Sequence, residues 1–295
     1  MPSTEARCWI SSRGEMKLLL PPLLDTTKIL AIVFVLMVMV EFAELKGGRV
    51  IRKVLTPRRN LQYVIASALG TIPGCVDAFL VVSLYKAGLV GFGALVAVML
   101  STSGDEAFVM LATIPRTALW IFGLCFVVGI AGGALADGLV GRLRLRLCES
   151  CGAQIHAADG AGFRWRHFLV EHVHGHIIRK HLVSLFFWLF LTLLALRIAD
   201  EHVNLEDLVP ANRLLLVFLA ALVGLAPESG PHLVFVLLFA KGVIPFSVLA
   251  ASSIAQDGHG VLPLLAYSVK DAVYVKVFSA AVGLVIGLVL LGLGL

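Results

Sequence analysis

The chain has 295 residues, 59% of them hydrophobic and 15% charged, with a formal net charge of +5 and a mean hydropathy of +0.95. Soluble domains carry about 45–50% apolar and about 25% charged residues, so the composition excludes a soluble globular domain and indicates an integral membrane protein. Long runs of Leu, Val, Ile, Ala, Gly and Phe fit helices rather than the alternating strands of a barrel. The basic residues collect in loops, as membrane topology demands, so no nucleic-acid partner is expected.

Residues 1–27 form an N-terminal segment. Acidic residues interrupt it and no A-x-A site follows an apolar run, so it does not read as a secretory signal. A multi-pass protein of the inner (plasma) membrane is expected. A first membrane repeat covers 28–140, with clear spans at Ile29–Val40 and Thr117–Ala136 and shorter runs, broken by Gly and Pro, at Asn60–Val76 and Ala87–Gly104. A loop at 141–180 carries Cys and His. A second membrane repeat covers 181–295, with spans at Leu182–Leu196 and Val277–Leu295 and shorter runs at Leu214–Pro227 and Gly242–Gln256. A full crossing needs about 20 apolar residues, so the shorter runs borrow polar flanks or are re-entrant. Cys8, Cys75, Cys125, Cys148 and Cys151 are scattered and give no disulfide framework.

The repeat is visible residue by residue. At a shift of 154, without a gap, Gly70, Pro73, Gly88 and Gly104 fall on Gly224, Pro227, Gly242 and Gly258. Gly129 and Gly133 fall on Gly283 and Gly287 at the same shift. The linker after the first span is basic (Lys46, Arg49, Arg52, Lys53, Arg58, Arg59), and its counterpart is acidic (Asp200, Glu201, Glu206, Asp207). Equivalent loops of opposite charge lie on opposite sides of a membrane. The predicted fold is therefore an all-α polytopic membrane protein of about ten transmembrane or re-entrant helices, in two inverted five-element repeats with broken helices. The basic linker and the 141–180 loop are then cytoplasmic.

Inverted repeats with helices broken near the midplane are the pattern of secondary transporters. The predicted breaks are Pro73, Gly74 and Gly104 in the first half and Pro227, Gly230, Pro231, Gly258 and Gly260 in the second. Around them lie Asp77, Asp105, Glu106, Glu228, His232, Asp257 and His259, with no Arg or Lys immediately among them in the sequence, and Cys75 as one soft donor. Carboxylate with imidazole suits Mn²⁺, Zn²⁺ or Fe²⁺, and such groups also relay protons. The bland alternative makes Gly-Asp-Glu and Gly-His-Gly solvated surface loops. The shift aligns Asp105 with His259, and the Pro227 break is expected to face Pro73 to Asp77 near the crossing of the two halves. In the central loop, Cys148-x-x-Cys151 with His156, His172 and His176 resembles half of a zinc site. A polar amphipathic helix on the membrane surface explains those histidines equally well.

The stretches "IPGCVDAF", "TSGDEAFVML", "PESGPHLVF" and "QDGHGVLPLLA", with a Cys-bearing loop and a "KH" before the sixth span, resemble a family of ten-helix heavy-metal exporters. Its members are labelled arsenic efflux proteins or manganese transporters. The resemblance runs over nearly the whole chain and implies ten membrane helices and efflux of a metal or metalloid. The expected function is export of a Mn²⁺-like divalent cation by proton exchange, with metal substrate and lipid bilayer as partners, no cofactor required, and the central loop as a candidate place for Zn²⁺. The absence of a Walker A motif from the sequence argues against ATP hydrolysis by this chain, and with transport as the expected function no enzymatic activity is expected. Two alternatives stand beside it: an arsenite or organoarsenical permease, and a membrane metal sensor or metalloenzyme built on the Cys/His loop.

Overall fold

A computed structural model of the chain describes residues 18–39, 59–74, 76–143, 147, 173–174, 177–179, 181–202 and 212–295. Those residues form helices and turns, with no strand among them. The first half contains α1 (Leu18–Met39), then α2 (Arg59–Gly70), α3 (Val76–Lys86), α4 (Phe92–Ser101), α5 (Glu106–Thr113) and α6 (Pro115–Leu143). After the central loop come α7 (Val183–His202), α8 (Arg213–Val223), α9 (Leu233–Ala240), α10 (Phe246–Ala255), α11 (Val261–Tyr267) and α12 (Val269–Gly292). Short 3₁₀ turns at Gly230–His232 and Gly258–Gly260 precede α9 and α11. Five stretches are long and apolar enough to cross a membrane: Leu18–Met39, Phe92–Thr113, Pro115–Leu143, Ile177–Ala199 and Val269–Gly292.

The shift of 154 that aligns the glycines also aligns the elements. It carries α4 onto the bounds of α10, and it starts α2 where α8 starts and α6 where α12 starts. The sharp turns repeat as well: Gly88 and Gly242 have φ of 71° and 75°, and Gly104 and Gly258 both have φ of 51°. Each half packs three helices into a core, α2, α4 and α6 in one and α8, α10 and α12 in the other. The remaining helices cross over: α3 packs on α11 of the second half, and α9 packs on α5 of the first.

Phe92–Thr113 differs from the other apolar stretches in being enclosed by protein over nearly its whole length. Every residue of α4 is buried, and so is nearly every residue of α10. Helices hydrophobic all round belong inside a bundle, and here they are walled off from lipid by the longer α6 and α12. Close approach at these walls needs small residues. A Cβ on Gly129 of α6 would stand 2.8 Å from the Ala97 carbonyl oxygen, and one on Gly283 of α12 would stand 2.7 Å from that of Ala251.

Gly129→Leu and Gly283→Leu therefore each force a helix pair apart, at a cost of about 1–3 kcal/mol. Gly123→Leu on the open side of α6, where a Cβ meets nothing within 4 Å, leaves stability unchanged. Thermal unfolding of the purified variants in one detergent checks the contrast.

Candidate functional site

Both enclosed helices end short of the membrane-spanning length, and the chain then breaks. α4 gives way to an extended Thr102, and α10 to an extended Gln256. The left-handed Gly104 and Gly258 follow, with the two glycines in contact: a Cβ on either would come 3.1 Å from the Cα of the other. Residues at equivalent places in the two halves thus meet. Gln256 stitches the breaks together, its Nε2 donating to the Ser103 carbonyl at 2.8 Å. Backbone freed from a helix at this depth is tolerated only when buried in protein or lining a cavity, and here it is packed against its own counterpart.

The side chains carried by the breaks converge. Asp105 Oδ2 stands 2.7 Å from His181 Nδ1 and 3.6 Å from His259 Nδ1. The two imidazole rings meet edge to face, with centroids 5.8 Å apart. His259 Nε2 stands 3.2 Å from Glu228 Oε1. Each of Asp105, His181 and His259 offers a ligand atom within 4.8 Å of the other two. Two ligands about 2.1 Å from a tetrahedral ion lie about 3.4 Å apart, so a small opening of the His181–Asp105 contact accommodates a cation. The Glu228 contact gives His259 the carboxylate that ligating histidines use to fix ring orientation. Side-chain exposure falls along the series Glu228 38%, His259 16%, Asp105 6%, so Glu228 marks the open side.

His181 is absent from the ligand set expected from sequence. It lies in a π-helical turn leading into α7, a distortion frequent at functional sites. Its signal in the sequence is the "KH" before the sixth span, which carries the family resemblance but does not by itself indicate a ligand. The other expected residues distribute as follows. Asp105, Glu228 and His259 are in the cluster. Glu106, fully buried, accepts from Ser253 Oγ at 3.2 Å. His232, also fully buried, pairs through Nδ1 with Ser252 Oγ at 2.9 Å. Asp77 is buried at the start of α3. Burial of Asp77, Asp105, Glu106, His232 and Asp257 excludes the solvated-loop reading for these five.

Two placements go beyond what the sequence reading gave. No Lys or Arg lies immediately among the carboxylates in the sequence, but the fold brings one in: Lys276 Nζ lies 3.0 Å from Asp257 Oδ2. Asp257 is thereby charge-paired with an internal cation and is not a member of the cluster. The Pro227 break was expected to face Pro73 to Asp77. Its observed neighbours are different: a Cβ on Gly104 would stand 2.8 Å from Ser229 Oγ, and Gly230 is covered by the Trp188 ring. The start of α3 instead meets the other break, where a Cβ on Gly260 would stand 2.7 Å from Ala78 Cβ. The halves cross, so breaks of unlike kind become neighbours. Cys75, Cys148, Cys151, His156, His172 and His176 lie outside the described residues.

A family model described as "Putative, 10TM heavy-metal exporter" matches residues 23–192 and 171–293. No curated protein and no solved structure matches the chain.

Because Gly104 and Gly258 occupy left-handed backbone, alanine at either costs about 1–2 kcal/mol on conformation alone, before the contact between them is disturbed. Gly104→Ala and Gly258→Ala are each expected to lower the unfolding midpoint, and the double variant to lose less than the sum because the two share one contact. A double-mutant cycle on unfolding midpoints measures the coupling.

Proposed function

The chain belongs to the ten-transmembrane-helix heavy-metal exporter family, and we propose that it is a secondary transporter that carries a Mn²⁺-like divalent cation through the Asp105–His181–His259 cluster in exchange for protons. The observation that carries this reading is the meeting of one carboxylate and two imidazoles at the contact of two broken helices. One oxygen-donor and two nitrogen-donor ligands suit Mn²⁺, Fe²⁺ and Zn²⁺, and a soft trivalent arsenic species less. The donors come from α5's N-terminus, the approach to α7 and the turn before α11, so a relative movement of the halves alters the ligand set. The repeat at 154, the opposite charges of the equivalent linkers and the crossing of α3 and α9 support an inverted arrangement that rocks about the two glycines. The domain organisation is then a membrane repeat on either side of a cytoplasmic loop, in the plasma (inner) membrane.

Proton exchange follows from the ligand chemistry. At 2.7 Å, His181 Nδ1 and Asp105 Oδ2 share a proton. A metal needs the nitrogen lone pair and the carboxylate together: from an imidazolium–carboxylate pair its arrival at Nδ1 expels that proton to water, whereas a neutral imidazole moves the proton to Nε2 and releases none. On the other face of the membrane, reprotonation of the pair expels the metal. Glu228 acts as a positioning residue, holding His259 by its far nitrogen while Nδ1 faces the cluster.

Proteoliposomes test the reading. Mn²⁺ flux driven by a pH gradient is expected from the unaltered chain and is expected to fall about 100-fold or more in Asp105→Asn and His181→Ala. Flux at the unaltered rate in both variants overturns the site, and transport of arsenite alone favours the permease alternative. Mn²⁺ affinity by calorimetry is expected to fall about tenfold per pH unit on acidification while one proton is displaced. Glu228→Gln is expected to weaken binding about 10-fold to 100-fold without removing a ligand.

A further inference from the structure

The Asp257–Lys276 pair lies outside the cluster and the transport reading does not use it. Lys276 sits inside α12, buried, in a helix that is otherwise strongly apolar here. Its ammonium faces three oxygens: Asp257 Oδ2 at 3.0 Å, the Gly224 carbonyl at 3.0 Å and the Ala226 carbonyl at 3.3 Å. Gly224 caps the C-terminus of α8 and Ala226 follows in the turn. A helix C-terminus presents unsatisfied carbonyls and the negative end of the dipole. A fully buried carboxylate together with carbonyls freed by a helix end is the donor set from which membrane proteins build sites for monovalent cations.

The other half shows that the fold does not require this pair. The shift of 154 places Ser103 at the position of Asp257, Phe122 at that of Lys276, and Gly70 and Ile72 at those of Gly224 and Ala226. The same helix end and the same break are built there with neither charge. Replacing a buried ion pair by apolar groups is often neutral or stabilising, so packing alone gives no reason for it.

We propose that these three oxygens form a monovalent-cation site in the second half and that the Lys276 ammonium is its tethered occupant. The tethered ammonium thereby occupies the three oxygens, and free sodium finds the position filled. Without the tether, the site should accept a small cation from solution. Ammonium and methylammonium are the best probes, because they reproduce the donor geometry and N–O distances of the lysine head.

The inference rests on the ion pair and not on the metal reading, and its test reads unfolding rather than flux, so either can fail alone. Purified full-length protein, Lys276→Ala and Lys276→Met are melted in detergent in choline, sodium, ammonium or methylammonium chloride at one ionic strength. Lys276→Ala is expected to melt below the unaltered chain in choline and to gain ~4 °C or more, saturably, in ammonium or methylammonium. The unaltered chain is expected to show no such preference, and neither is Lys276→Met, whose side chain still fills the space. A Lys276→Ala midpoint identical in all four salts overturns the proposal, as does an equal gain in the unaltered chain. Failure to obtain folded Lys276→Ala in any of the salts overturns it too, because the site then admits no free cation.

Discussion

The constraint on which the structure turns is the contact between Gly104 and Gly258. Two helices end in the apolar interior, and each releases backbone amides and carbonyls where no water is available to receive them. The fold answers by placing the two breaks against one another, close enough that neither residue can carry a Cβ without displacement. Gln256 then closes the gap with a hydrogen bond to the Ser103 carbonyl. The Asp105, His181 and His259 side chains are gathered at that crossing. Asp105 and His259 follow their glycines by one residue and are therefore brought together by the same contact.

Charge is divided unequally between the halves, and that division gives an otherwise repetitive architecture its chemistry. The first half contributes carboxylates at its break, Asp105 and Glu106, and the second contributes imidazole at its own, His259. A fully symmetric pair would bring together two like groups, and two close carboxylates repel and hold a proton between them. Pairing carboxylate with imidazole instead gives a mixed oxygen and nitrogen donor set of the kind that suits divalent cations. Asp257, which would add a further negative charge two residues from His259, is compensated by Lys276. Excess negative charge is thus withheld from the cluster.

The crossing of α3 and α9 between the halves has a mechanical consequence. Each half carries a helix that also packs on the other, so the halves are tied together by more than the glycine contact. The chain belongs to the heavy-metal exporter family, and the cluster draws its side chains from both halves. Small residues along α6 and α12 keep the walls of each half close.

The sequence by itself determined the solvent, the secondary structure and the repeat. Hydropathy fixes a membrane protein because apolar length is a local property of the chain, and glycines at a constant shift mark equivalent turns because only glycine adopts them freely. Burial of Asp105 and its neighbours was also legible, since ionisable groups beside glycine breaks inside apolar runs are costly and are kept where they serve a site at depth. Partner choice was not. His181 lies 76 residues from the carboxylate it meets, and nothing local distinguishes it from a basic residue at a span's edge. Lys276 is illegible for a similar reason. An apolar span drawn from composition starts at Val277, whereas α12 begins at Val269 and carries the lysine into the interior. The opposition of unlike breaks was likewise decided only by tertiary structure. Sequence periodicity states which positions are equivalent, but how the two halves interlock depends on packing across the whole chain.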